Sequence, residues 1–136
     1  MEINTYISNQ PLDRQPVLTT IHEVIITNDK TVIAGVESMM GIEMIIYKGK
    51  GTMKYGLAGV KNYMSLHVLP IYGSTALHAK YKSLLPKAKF QKGCIHFINE
   101  SDMPLEIIRK LIVDCSTIDL LKMKEDYLNS RKTEKQ

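Results

Sequence analysis

The sequence predicts an α+β domain, with a mainly antiparallel sheet of about four to five strands and helices packed on one face. Two patterns carry that expectation. Segments with helical periodicity lie towards both ends of the chain, and strand-like segments cluster between them instead of alternating with helices. The 136 residues match the size of a single domain, and 44% hydrophobic with 24% charged residues is ordinary globular usage.

From the N-terminus, Asp13 offers a cap and Pro16 fits a first turn. Leu18, Ile21 and Ile25 then recur at helical spacing, with Val17 and Val24 beside them. Asn28-Asp29-Lys30 breaks that helix. A second, shorter helix is expected from Asp29 or Thr31, burying Ile33, Val36 and Met40 and ending at Gly41, where glycine takes the left-handed cap conformation without steric cost. The period then changes. Ile42 to Lys48 and Thr52 to Ala58 read as strands joined by the Lys48-Gly49-Lys50-Gly51 turn. Lys61 to Leu69 alternates, with Tyr63, Ser65 and His67 on one face and Met64, Leu66 and Val68 on the other, until Pro70 stops it. Ser74 caps a helix whose predicted buried stripe is Leu77, Tyr81, Leu84 and Leu85, and Pro86 ends it. Lys87 to Lys92 is partly extended, and Gly93 to Ile98 is a strand. Pro104 opens a helix that buries Leu105, Ile108, Ile112 and Cys115. Ser116 with Asp119 resembles a capping box for a last helix to about Asn129, with residues 130–136 expected to fray.

The net charge of +4 hides a division. Met1 to Glu43 holds two basic and six acidic residues, and Glu100 to Gln136 seven basic and eight acidic. Met44 to Asn99 holds nine lysines and no acid. This stretch is read either as an anion-binding surface or as lysines that keep strand edges from pairing. Nucleic acid is not the expected partner, because the segment has no arginine.

Catalytic motifs are missing. Gly49-Lys50-Gly51-Thr52 lacks the spacing of a phosphate loop, and Gly49, Gly51, Gly56 and Gly59 do not form a dinucleotide fingerprint. There is no Gly-x-Ser-x-Gly elbow and no His-Glu-x-x-His. Cys94 and Cys115 give neither a disulfide framework nor a zinc motif. With no secretory signal and no long apolar run, a cytoplasmic protein that does not enter a membrane is expected. His22 and His78 read as surface residues, and the eight methionines as gap-fillers in the core.

If Met64, Leu66 and Val68 face the helices, then Tyr63, Ser65 and His67 face away. The same argument sends Cys94 and His96 to that open face if Ile95 and Phe97 point inward. Two histidines and a thiol could hold a transition metal or exchange protons near neutral pH. They could equally be half-exposed strand residues beside a small buried cysteine.

Gly59-Val60-Lys61-Asn62-Tyr63-Met64-Ser65-Leu66-His67-Val68-Leu69-Pro70, Lys87 to Phe97, and Met103-Pro104-Leu105 together resemble the YdhG-like family, a domain of unknown function. The resemblance is best over residues 47–114. It implies an α+β fold with an antiparallel sheet. Some members are described as frataxin-like intracellular iron chaperones. No catalytic residue carries over.

The expected function is therefore a small binding or chaperone-like domain rather than an enzyme. Its expected ligand is a small anion held on the open sheet face by Lys54, Lys61, Lys89 and Lys92 with Tyr63, Ser65, His67 and His96. One alternative is an iron or zinc carrier using His67, His96 and Cys94 with Glu43. Another is a module that docks a protein partner through the sheet edge or the C-terminal helix.

Overall fold

The computed structural model describes residues 2–91 and 93–134. Six strands form one antiparallel sheet in the order β1-β2-β3-β4-β6-β5: β1 Ile33–Met39, β2 Ile42–Gly49, β3 Thr52–Gly59, β4 Met64–Val68, β5 Lys89–Gln91 and β6 Cys94–Phe97. The helices are α1 Ile3–Ser8, α2 Gln15–Asn28, the single turn α3 Leu69–Tyr72, α4 Thr75–Leu84, α5 Leu105–Ser116 and α6 Leu120–Glu134. The fold is α+β, with a strand count slightly above expectation. Among the described residues no helix is long and apolar enough to cross a membrane.

The main core lies on one face of the sheet. Leu18, Ile21 and Ile25 of α2, with Ile108, Leu111, Ile112 and Cys115 of α5, pack on Ile45, Tyr47, Tyr55, Leu57, Leu66, Val68, Ile95 and Phe97. Tyr6 and Ile7 of α1 join them, although this short helix has no side-chain cap and no sequence signal announced it. Tyr6 is held in place by its hydroxyl, which donates to the Glu43 carbonyl at 3.2 Å and accepts from the Gly59 N–H at 3.0 Å.

Several local expectations need correction. Residues 33–39 form strand β1, not a second helix. Val36 and Ala34 pack on the helix-side core, while Ile33 and Met40 are exposed. Gly41 serves a hairpin turn: Met40 and Gly41 both have positive φ, 52° and 81°, as do Lys50 and Gly51 at the next turn. A glycine poised for positive φ fits a helix C-cap and a two-residue hairpin equally well, and β-pairing with Ile42–Lys48 decided between them. The α2 N-cap is Arg14, without side-chain capping, so Asp13 does not cap it. Leu84 is exposed, whereas Tyr81 and Leu85 are buried. Asp119, not a Ser116 box, caps α6, its carboxylate accepting from the Lys122 N–H at 3.1 Å. The expected frayed tail overlaps α6, which runs to Glu134, while Lys135 and Gln136 lie outside the described residues.

Candidate functional site

The opposite face of the sheet carries the polar cluster. The register pairs Ser65 with His96 and His67 with Cys94 across β4 and β6, and Lys89 with His96 across β6 and β5. Alternation sends all five to the face away from α2 and α5. The Cys94 sulfur lies 3.8 Å from His67 Nε2. Ser65 is buried. Tyr63, just before β4, stacks on the His96 ring with centroids 4.2 Å apart and planes tilted by 22°.

Burial sets the electrostatics of this cluster. His67 is held below the usual imidazole pKa by burial first and then by repulsion from His96. His96 is lowered by burial and by Lys89. Burial pushes the Cys94 thiol up to about 11. At neutral pH the pair is therefore thiol and imidazole. An activated cysteine nucleophile needs the reverse, a depressed thiol pKa beside an imidazolium.

The expected lysine cleft loses one member. Lys54 does not reach the open face. Lys48 pairs with Met53 and Tyr47 with Tyr55, so β3 carries one extra residue, Lys54, at a β-bulge. The bulge turns Lys54 to the helix side, where it is 3% exposed and its Nζ lies 2.8 Å from Asp29 Oδ2. Asp29 also accepts from Tyr55 Oη at 2.6 Å and from the Thr31 N–H and hydroxyl at 3.0 and 2.5 Å. Lys54 and Lys50 both line a small cavity of about 270 Å³ with Thr31, Ser116 and Asp119. Each already has an acid, Asp29 for Lys54 and Asp119 at 2.5 Å for Lys50, so this cavity is charge-balanced. Lys61 is exposed on the turn after β3, its carbonyl accepting from Arg14 Nη2 at 3.4 Å. Lys89 is on the edge strand beside His96, and Lys92 lies outside the described residues.

The alternative metal set also divides. Glu43 shares the strand face of Ile45 and Tyr47, opposite His67. Among the described residues no group of three or more His, Cys, Asp or Glu side chains converges to hold an ion. His22 and His78 are not free surface residues. His22 Nδ1 and the Tyr47 hydroxyl share a 2.6 Å hydrogen bond, and His78 meets Phe90 edge-on at 5.6 Å.

Sequence reasoning missed the methionines. Because the bulge reverses the alternation of β3, Met53 comes to the open face and joins Met39, Met44, Ile46 and Ala58 in a second apolar cluster. α6 lies beside this cluster, with Met123 packed over Gly73. Between them runs a groove of about 920 Å³, lined by Met39, Met53, His67, Tyr72, Met123 and Tyr127 among others. A second, narrower hollow of about 110 Å³ shares Met39 and His67 with it and reaches Met44, Cys94 and His96. The groove is apolar for most of its length, and its imidazole leads to the polar cluster.

Comparison of the chain with protein-family models, with curated proteins and with solved structures finds no match.

Proposed function

We propose that this chain is a small-molecule binding domain that takes a largely apolar ligand in the groove between the open sheet face and α6, with one hydrogen-bonding group of the ligand at His67. The observation that carries this reading is the groove itself. Its volume of about 920 Å³ falls in the range of small-molecule sites, and its walls are thioethers, aromatic rings and leucines with a single imidazole. Methionine suits such a wall because its unbranched, polarisable side chain adapts to irregular apolar shapes. A neutral His67 can offer one donor and one acceptor to the ligand without adding a charge. The reading keeps the open face expected from the sequence and replaces an anion by an apolar molecule, because Lys54 is buried on the helix side with Asp29 and the groove is lined by apolar side chains. The likeness of residues 47–114 to YdhG-like proteins remains part of the proposal and adds no chemistry to it.

A titration with the dye anilinonaphthalene sulfonate, which fluoresces in apolar sites, tests this reading. Saturable binding to one site is expected, weakened about tenfold or more, or ~1.4 kcal/mol, by a Met39→Trp change that fills the groove. Ile33→Trp, on an exposed position of the same strand, should bind as the wild type does. Equal binding by the wild type and Met39→Trp, or no saturable binding, overturns the proposal.

A further inference from the structure

We propose that the narrow hollow that shares Met39 and His67 with the groove is a binding site for a cuprous ion, with the Cys94 sulfur, the His67 imidazole and the Met44 thioether as ligands. This goes beyond small-molecule binding in the groove and does not depend on it.

The spacing comes first. A sulfur and an imidazole nitrogen that share one ion at about 2.3 and 2.0 Å lie roughly 3.5–3.7 Å apart at tetrahedral to trigonal angles. Cys94 Sγ and His67 Nε2 are 3.8 Å apart, so a rotamer-scale adjustment, with no backbone movement, lets both reach one ion. The third ligand lines the same hollow. Gly56 faces His67 across β3 and β4. A β-carbon placed on Gly56 would lie 3.1 Å from Met44 Sδ, 3.5 Å from His67 Cβ and 2.6 Å from Met53 Cε. The Met44 thioether and the His67 side chain thus flank the bare Gly56 position from the strands on either side of it. Met44, His67 and Cys94 all line the hollow of about 110 Å³.

The chemistry of the donors selects the ion. Thiolate and thioether sulfurs are soft ligands that suit Cu(I), and imidazole binds copper as well. Glu37, opposite Met44 in the register, has its carboxylate tied to Lys48 at 3.0 Å, and the His96 ring is stacked on Tyr63. Charge points the same way. Binding exchanges the thiol proton, released to solvent, for one monovalent cation, so the net charge of this half-buried site does not change. A divalent ion would leave an extra positive charge at this half-buried site, which is less favourable.

The test is an anaerobic titration of metal-free, reduced protein with Cu(I), in competition with the chelator bathocuproine disulfonate. One ion per chain is expected. Cys94→Ala and His67→Phe should each weaken binding by more than the roughly 10–100-fold lost when an outer-shell partner is removed. Met44→Leu keeps the volume of the core, should leave the circular dichroism unchanged, and should weaken binding about tenfold. His78→Gln, outside the hollow, should bind as the wild type does. Cys115, buried in the helix-side core, stays in every variant, so loss on changing Cys94 locates the site. Copper that is not retained against the chelator, or unchanged affinity in both Cys94→Ala and Met44→Leu, overturns the proposal. Dye binding by the metal-free variants reports on the groove separately.

Discussion

Replacing Lys54 by methionine separates a structural lysine from a ligand-binding one. Lys54 and Asp29 are both almost fully buried, 3% and 1% exposed, with 2.8 Å between Nζ and Oδ2. Removing one partner of such a pair strands a charge and typically costs about 3–5 kcal/mol. Methionine keeps most of the apolar stem, so the cavity contribution is small. Asp29 also retains the Tyr55 hydroxyl and both Thr31 donors, which places the loss at the lower end, about 3 kcal/mol. Urea unfolding at neutral pH should then show a midpoint lower by roughly 1–2 M with an unchanged slope. Changing Asp29→Asn in the same chain removes the stranded charge and should recover part of that loss. The pH dependence follows from Asp29. Burial pushes its pKa up, but the Lys54, Thr31 and Tyr55 bonds together outweigh burial and hold it below the ordinary carboxylate value. A carboxylate lowered in the fold contributes stability above its unfolded pKa of about 3.9, and that contribution disappears as the pH falls through the lower folded value. In Lys54→Met most of this acid-sensitive stability should be gone. A loss under about 1 kcal/mol would refute the reasoning, since that is what an exposed pair contributes. Unchanged stability with lost dye binding would place Lys54 in a ligand site instead.

Three further outcomes are expected. His67 has a lowered pKa, so the fold favours its neutral form; stability is full above about pH 6.5 and declines as the unfolded chain takes up the proton below it. Urea midpoints across that interval should fall less steeply in His67→Gln than in the wild type. Cys94, with its thiol raised from 9.0 to about 11, should hold roughly a hundredfold less thiolate than an ordinary cysteine and be alkylated by iodoacetamide correspondingly slowly at mildly alkaline pH. Gly41→Val should destabilise the β1–β2 hairpin by at least about 1–2 kcal/mol, because a branched side chain resists the φ of +81°, while Gly41→Asn should cost much less; equal midpoints for the two variants would contradict the turn.

The strands were legible where a period of two ran unbroken. Met64 to Val68 alternates, so the face of Ser65 and His67 could be read directly, and the same held for Cys94 and His96. That β4 and β6 are neighbours could not be read, because α3, α4 and β5 separate them and the pairing is long-range. The bulge at Lys54 was invisible for a different reason. One extra residue moves every preceding side chain of the strand to the other face, and nothing in Met53-Lys54-Tyr55 marks where it sits. That single event took Lys54 out of the predicted anion cleft and brought Met53 into the groove. The methionine wall stayed hidden because its members come from β1, β2, β3 and α6, far apart in sequence. The helix expected from Asp29 or Thr31 to Gly41 failed because Ile33, Val36 and Met40 match a helical period by accident, while Ile33 is exposed in the strand and Met40 in the turn after it.

The most direct test of the groove is a map of the methionine methyl resonances during dye titration. Met39, Met53 and Met123 line the groove, whereas Met64 and Met103 are buried in the helix-side core and serve as controls. The methyls of Met39, Met53 and Met123 should shift together and saturate at one dye per chain, with Met64 and Met103 unmoved. Shifts centred on Met64 and Met103, or groove methyls that stay still while the dye binds, would contradict a ligand site on the open face of the sheet.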